Sequence, residues 1–197
     1  MCTLSIFRKE AGYYVVMNRD ERRDRLAERP PEPLRDGLLA PIDPASGGTW
    51  IALSQTGQWG ALLNGYFDPP SPPAEGFTSR GTLLPDLLGG DDPFAAVRAL
   101  DPARYDSFRL VIGSPDRLEL WVYDGKDFGP GDFHARDGER RYFLTSSSWL
   151  QDEVIAARVL QFQDSCALAD PEVGTVPGLH VSKAPDDERA ILMQRSY

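Results

Sequence analysis

Apolar and polar residues alternate at the start of the chain in a way that predicts a β-hairpin. Residues 3–7 alternate up to a second apolar residue at Phe7, a polar segment with a glycine follows, and residues 13–17 are strong strand formers. If the turn is centred on Glu10, the numbers of two residues that face each other across the hairpin sum to about 20 or 21.

This register gives the hairpin a candidate site at its open end. It places Cys2 across from Asn18 or Arg19, with Asp20 just beyond. A thiol and a polar run that are well separated in the sequence are therefore predicted to be neighbours in space.

The remaining pattern predicts three more strand pairs and four helices. The strand pairs are residues 49–53 with 59–63, 107–112 with 118–123, and 133–136 with 141–145. Three of the helices are residues 82–88, 91–100 and 186–193. The fourth is a long helix that begins at Ser147 or Ser148 and has an apolar side from Leu150 to Phe162. The proline-rich stretch from Pro30 to Pro44 is predicted to be an extended loop.

Composition and charge limit the classes of function. The 197 residues suffice for one domain with a sizeable core, and the pattern is that of an α+β protein with mostly antiparallel sheets. A net charge of -9 argues against binding to nucleic acid or to an anionic membrane surface. Apolar runs fall far short of the ~20 residues that span a bilayer. Two cysteines and no secretory signal favour a cytoplasmic protein.

Cys2 has a chemical option that an internal cysteine lacks. Removal of Met1 would leave a free α-amino group, whose pKa is ordinarily about 7.7–8.0, on the residue that carries the thiol. Such an amine can act as the base for its own nucleophile, and a cation such as Arg19 would favour the thiolate. The alternative is that Met1 stays and Cys2 is a small apolar residue at the start of a strand.

Two other features of the chain allow either a functional or a plain structural role. Asn64, at the end of a predicted strand, is either a hydrogen-bond donor to an oxyanion or a turn residue beside Gly65. The basic run of Arg22, Arg23 and Arg25 either receives an anionic group or forms a solvated surface.

Four short runs resemble those of the NRDE family, also called transport and Golgi organisation protein 2-like. They are Met1-Cys2-Thr-Leu, Asn18-Arg19-Asp20-Glu21, Gly47-Gly-Thr-Trp50-Ile and Ala61-Leu-Leu-Asn64. The resemblance is clear over residues 1–90. That family in turn resembles the N-terminal nucleophile (Ntn) hydrolases with a catalytic cysteine, which have a four-layer αββα sandwich fold and cleave amide bonds.

The resemblance implies roles for individual residues. Cys2 matches the nucleophile, Asp20 matches the aspartate that holds its amine, and Asn64 matches an asparagine of the oxyanion hole. An arginine of the hydrolases falls on Met17 and a later asparagine falls on Ser146, so this chain departs from their pattern twice. Arg19 is the candidate replacement for that arginine, and Asn18 and Arg19 would shape the site.

The resemblance also implies further strands beyond the point where the present chain stops. We therefore expect one domain over residues 1–197, either shortened at its end or with a sheet completed differently.

Two functions follow as hypotheses. The first is a hydrolase of an amide or related acyl bond, with Cys2 as the N-terminal nucleophile and the catalytic residues Cys2, Asn18, Arg19, Asp20 and Asn64. The second is a non-catalytic carrier of a hydrophobic small molecule such as haem or lipid, which members of the NRDE family have been linked to. We predict no cofactor and no metal, since His134 and His180 lack metal-ligand spacing.

Overall fold

The computed structural model describes residues 2–10, 12–19, 25–34, 37–67, 72–138, 140–148 and 150–168. The strands are β1 (Cys2–Lys9), β2 (Gly12–Arg19), β3 (Arg29–Pro33), β4 (Leu38–Ile42), β5 (Ile51–Ser54), β6 (Trp59–Asn64), β7 (Phe108–Ser114), β8 (Arg117–Tyr123), β9 (Phe128–Pro130), β10 (Ala135–Asp137) and β11 (Arg141–Ser146). The α-helices are α1 (Leu83–Leu88), α2 (Pro93–Arg98) and α3 (Gln151–Leu168).

The chain groups into two compact units. Unit 1 comprises Met1–Glu21 and Asp132–Tyr197, and unit 2 comprises Arg22–Gly131. Each unit has its own antiparallel sheet and helix or helices, so the predicted α+β class with antiparallel sheets is confirmed. The expectation of a single domain over residues 1–197 stays a prediction.

Unit 1 is built on a four-stranded sheet in the order β10-β11-β1-β2. Residues paired between β1 and β2 have numbers that sum to 21, from Cys2 with Arg19 to Lys9 with Gly12, so the predicted hairpin and its register are confirmed. On its other side β1 pairs with β11, and Cys2 faces Ser146 there. The first strand is thus an interior strand of its sheet.

Helix α3 covers one face of this sheet. Phe162 packs on Phe143 with ring centroids 4.8 Å apart and on Phe7 at 6.2 Å. Because neighbouring residues of a strand point to opposite faces, Thr3, Ser5 and Phe7 face α3, whereas Cys2, Leu4 and Ile6 face away from it. All six are buried, so the alternation at the start of the chain separates two buried faces rather than a core face from a solvent face.

Unit 2 is built on a seven-stranded sheet in which β3 to β9 follow one another in sequence order. Helices α1 and α2 cover one face, and their buried leucines, with Phe94 and Val97, pack against Leu62, Phe108, Leu110 and Ile112 of the two central strands. Asp92 caps α2 by accepting hydrogen bonds from the amides of Phe94 and Ala95, both at 3.0 Å, as its position before Pro93 predicts.

A close backbone approach explains the glycine pair at 47–48. A Cβ on Gly48 would lie 2.6 Å from the Cα of Gly81, and the Thr49 amide donates to the Gly81 carbonyl at 3.0 Å. Gly47 has φ +67°, which a residue with a side chain rarely adopts. The segment before β5 is therefore fixed against the segment that leads into α1.

Two predictions about elements are wrong. The stretch from Pro30 to Pro44 contains β3 and β4 rather than a continuous loop. Strand β3 carries its prolines at the sheet edge, where a missing N–H does not interrupt the ladder. The apolar side predicted for the long helix from Leu150 to Phe162 includes Leu160, but Leu160 is 60% exposed on α3 and does not belong to that side.

The predicted helix at 186–193 lies outside the described residues. Within the described part of the chain, no helix combines the length and apolar character needed to cross a membrane.

Candidate functional site

The hairpin brings Cys2 together with one of its predicted partners. Arg19 on β2 and Ser146 on β11 both lie directly across from Cys2, so the three side chains project from the same face in one row across three strands. Cys2 is buried, with 7% of its surface exposed. The strand register therefore places Arg19, the predicted cation, directly across from Cys2.

The other two residues of the predicted polar run are placed differently. Asn18 pairs with Thr3, so it belongs to the opposite face of the sheet from Cys2. Asp20 lies outside the described residues, as do Arg22 and Arg23. Arg25 is described, and its guanidinium binds the carboxylate of the buried Asp43.

A buried hydrogen-bond network lies beneath Cys2, on the face of the sheet that α3 covers. Arg158, which is fully buried, donates from Nη1 to the hydroxyl oxygens of Thr3 and Thr145, both at 2.9 Å. The Thr145 hydroxyl donates in turn to the Cys2 carbonyl oxygen at 2.9 Å. A cation on the helix is therefore connected to the main chain of Cys2 through one hydroxyl group.

Thr145 is also held from its main chain. Its amide donates to Nδ1 of His134 at 3.2 Å, which requires that Nδ1 carry no proton. His134 is half-buried, and it helps to fix the residue that binds Cys2.

Ser146 has an unusual hydroxyl group. The side chain is fully buried, and its Oγ has no hydrogen-bond partner within the described residues. A buried hydroxyl without a partner costs about 1–3 kcal/mol, so the Ser146 hydroxyl is a candidate to hydrogen-bond to water or to another group. The hydroxyl can both donate and accept, and it lies across from Cys2.

Asn64 is the last residue of β6 in unit 2. Its Nδ2 donates to the hydroxyl oxygen of Tyr66 at 3.1 Å, which uses one of the two N–H groups of the amide. The positive φ of the turn that follows is at Tyr66, at 52°, rather than at Asn64 itself. The role of Asn64 as a donor to an oxyanion stays a prediction.

Sequence reasoning missed Thr3, Thr145 and Arg158. The signal for Arg158 was its spacing of four residues from Val154 and from Phe162, which places all three on one side of α3. Val154 and Phe162 are also buried. An arginine in the middle of a buried helical stripe needs buried partners, and hydroxyl-bearing residues on the strand below can provide them.

Within the described residues, no group of three His, Cys, Asp or Glu side chains is arranged to hold a metal ion. Directly across from the Cys2 thiol, the described residues of unit 1 provide the Arg19 guanidinium and the Ser146 hydroxyl, and removal of Met1 would add the α-amine.

Comparison with family models identifies the family of the chain. No curated protein matches the chain. The model of the family described as Transport and Golgi organisation 2 matches residues 1–159. This range includes the hairpin with Cys2, both sheets and Arg158. The chain therefore belongs to the Transport and Golgi organisation 2 family, which is the family that the four sequence runs resemble.

Proposed function

We propose that the protein is an N-terminal nucleophile hydrolase that cleaves an amide or related acyl bond, with Cys2 as the nucleophile after removal of Met1. The observation that carries the proposal is the row Arg19–Cys2–Ser146 across three adjacent strands. It places a cationic and a hydroxyl-bearing residue directly across the neighbouring strands from Cys2. The four-layer αββα sandwich, and a cytoplasmic site of action, remain parts of this proposal.

The proposed reaction has two stages. The α-amine of Cys2 accepts the proton of the thiol as the sulfur attacks the carbonyl carbon, and it delivers that proton to the leaving amine as the amide bond breaks. The product of this stage is a thioester on Cys2. Water then attacks the thioester with the amine as base, which releases a carboxylic acid and restores the thiol.

The surrounding groups support the first stage. Arg19 lies across the strand from Cys2, and a cation there favours the thiolate. The Ser146 hydroxyl, buried without a partner within the described residues, is available to bind a substrate oxygen. The Thr145–Arg158 network fixes the Cys2 carbonyl, so the nucleophile is held in one position before substrate binds.

The test is hydrolysis of a panel of N-acyl-p-nitroanilides, followed as release of p-nitroaniline. We expect turnover by the wild-type protein, and release at the buffer rate by the Cys2→Ala variant, with its melting temperature within a few degrees of wild type. Cys166→Ala is the matched control, because it removes the other thiol of the chain and should keep turnover.

The mass of the intact protein separates this proposal from the alternative. Retention of Met1 in the native protein would remove the amine base and leave the carrier of a hydrophobic small molecule as the remaining function. Equal turnover by the wild-type and Cys2→Ala proteins would also contradict the hydrolase.

A further inference from the structure

Unit 2 contains a buried arginine in the interior of its sheet. Arg109 is the second residue of β7, between Leu63 of β6 and Val122 of β8, and only 6% of its surface is exposed. Its neighbours in sequence, Phe108 and Leu110, face the helices, so Arg109 belongs to the opposite face of the sheet. A guanidinium in such a position loses hydration, and this loss must be compensated.

The protein compensates only part of this cost. Nη1 of Arg109 donates to the Gly65 carbonyl at 2.8 Å, and the guanidinium lies 4.5 Å from the centre of the Phe67 ring. Neither group carries a charge, and one carbonyl satisfies one of the five N–H donors. Within the described residues no carboxylate pairs with Arg109, and burial lowers the pKa of its guanidinium.

Other arginines of unit 2 show the opposite arrangement. Several that are more exposed than Arg109 are paired with a carboxylate, namely Arg25, Arg29, Arg80, Arg98 and Arg117. Arg117 is the nearest match to Arg109, because its guanidinium lies 4.2 Å from the centre of the Phe94 ring. Arg117, however, also binds Glu119, so it has the anion that Arg109 lacks.

The turn that binds Arg109 is constrained at successive residues. A Cβ on Gly65 would lie 2.7 Å from Oγ of Ser107 and 2.8 Å from Cδ2 of Phe67, so no larger residue fits there. Tyr66 has φ 52°, a conformation that costs a residue with a side chain about 1–3 kcal/mol. The turn thereby presents its Gly65 carbonyl and its Phe67 ring to Arg109, while Tyr66 and Phe67 are themselves half-buried.

We propose that Arg109 binds the carboxylate of a small organic acid whose apolar part packs against the side chains of Tyr66 and Phe67. A planar guanidinium with free N–H groups matches a carboxylate with two parallel hydrogen bonds. The charge of a monocarboxylate also matches the single positive charge of Arg109. The charge of Arg80, which donates to the neighbouring Ser107 carbonyl, is already balanced by Asp106. A monocarboxylate would neutralise the site without adding a second buried charge.

This site is inferred from unit 2 alone and does not depend on the chemistry of Cys2. The probe is sodium benzoate, with benzamide as an uncharged ligand of the same shape and with ionic strength held constant. We expect benzoate, but not benzamide, to raise the melting temperature of the wild-type protein and to bind it in a calorimetric titration.

Variants assign the binding to Arg109. Arg109→Gln should weaken benzoate binding by about tenfold or more, as expected for loss of a charged hydrogen-bond partner. Arg117→Gln is the matched control, since it removes an arginine that also lies over a phenyl ring, and it should leave benzoate binding unchanged. Arg109→Lys keeps the charge without the planar fork and should weaken binding less than Arg109→Gln.

Several results would overturn the proposal. These are equal effects of benzoate and benzamide on the wild-type protein, equal loss of binding in Arg109→Gln and Arg117→Gln, or tighter Arg109-dependent binding of inorganic phosphate than of benzoate. If neither Arg109 variant folds, the wild-type comparison of benzoate with benzamide decides by itself: a benzoate-specific rise in melting temperature supports the site, and its absence rejects it.

Discussion

Two buried arginines, one in each unit, differ in what the protein provides for them. Arg158 in unit 1 donates to the hydroxyls of Thr3 and Thr145, and through Thr145 it is connected to the main chain of Cys2. Arg109 in unit 2 has one carbonyl and one aromatic ring. The comparison indicates that Arg158 holds the fold around Cys2, whereas Arg109 retains hydrogen-bonding capacity for a molecule that binds.

The physical basis of this difference is the cost of burying a charge. Removing the charged member of a buried hydrogen-bond network takes a strong donor away from its partners and is strongly destabilising. Replacing a poorly compensated buried charge with an apolar side chain of similar size is often neutral or stabilising. The same substitution, arginine to methionine, should therefore have opposite effects at the two positions.

The largest effect is expected at Arg158. Arg158→Met should lower the free energy of unfolding by about 3 kcal/mol, because the Thr3 and Thr145 hydroxyls lose a charged donor inside the protein. Urea denaturation measures this change. Arg136→Met, at an exposed position of the same sheet, is the control and should have little effect. A change below about 0.5 kcal/mol at Arg158 would show that the network does not stabilise unit 1.

A smaller effect is expected at Thr145, the residue that connects Arg158 to Cys2. Thr145→Val keeps the shape but removes the hydroxyl, so it should cost about 1–3 kcal/mol of unfolding free energy. It should also slow acylation of Cys2 by a p-nitrophenyl ester, since the Cys2 carbonyl is no longer held. Thr145→Ser retains the hydroxyl and should preserve most of the acylation rate. Equal acylation rates in the valine and serine variants would show that the Thr145 hydroxyl does not support the reaction at Cys2.

Arg109→Met is expected to leave the free energy of unfolding unchanged or to raise it by about 1–2 kcal/mol in the absence of a carboxylate ligand. The methionine fits between Leu63 and Val122 without a charge to desolvate. Urea denaturation of this variant in benzoate-free buffer gives a change in the free energy of unfolding that can be compared directly with that of Arg158→Met. A loss of several kcal/mol would mean that Arg109 is as much a structural residue as Arg158.

The smallest effect concerns a surface ion pair of unit 2. Burial opposes ionisation of Glu119, but hydrogen bonds from Trp121 and Arg117, with the charges of Arg117 and Arg98, lower its pKa below the ordinary value of 4.5. A carboxylate with a lowered pKa stabilises the folded state above that ordinary value and loses this contribution as the pH falls through its folded-state pKa.

Glu119→Gln should therefore lower the free energy of unfolding by at most about 1 kcal/mol at neutral pH, since the arginines are exposed and solvent screens the pair. The difference from wild type should shrink as the pH falls below about 4.5 and when salt is added. A difference that grows towards acid pH would contradict the assignment.

The local pattern predicted the hairpins well, and it could not predict which faces are buried. Alternation and turn position limited the register of β1 and β2 to two adjacent values, because both depend on residues close in the sequence. The same alternation cannot distinguish a strand that has one solvent-exposed face from a strand that is buried on both faces. Strand β1 is mostly buried on both of its faces. Strands β3 and β4 were missed because prolines are compatible with an edge strand as well as with a loop.

The candidate site divides in the same way. The sequence predicted that Cys2 faces Asn18 or Arg19, since one hairpin determines this pair, and the partner in the structure is Arg19. It could not predict that Thr145 and Arg158 hold Cys2 from beneath, because that requires pairing between strands more than 130 residues apart in the chain, as for Cys2 with Ser146. A lone arginine in an apolar strand or helix stripe, as at Arg109 and Arg158, is the signal that could have identified both buried cations.

Mass spectrometry of the intact wild-type protein tests most directly whether Cys2 is an N-terminal nucleophile. The mass is measured before and after a brief reaction with p-nitrophenyl butyrate, and peptide mapping locates the modified residue. We expect a chain that lacks Met1 and gains one butyryl group on Cys2 in preference to Cys166. Retention of Met1, or butyrylation of Cys166 and not of Cys2, would contradict it.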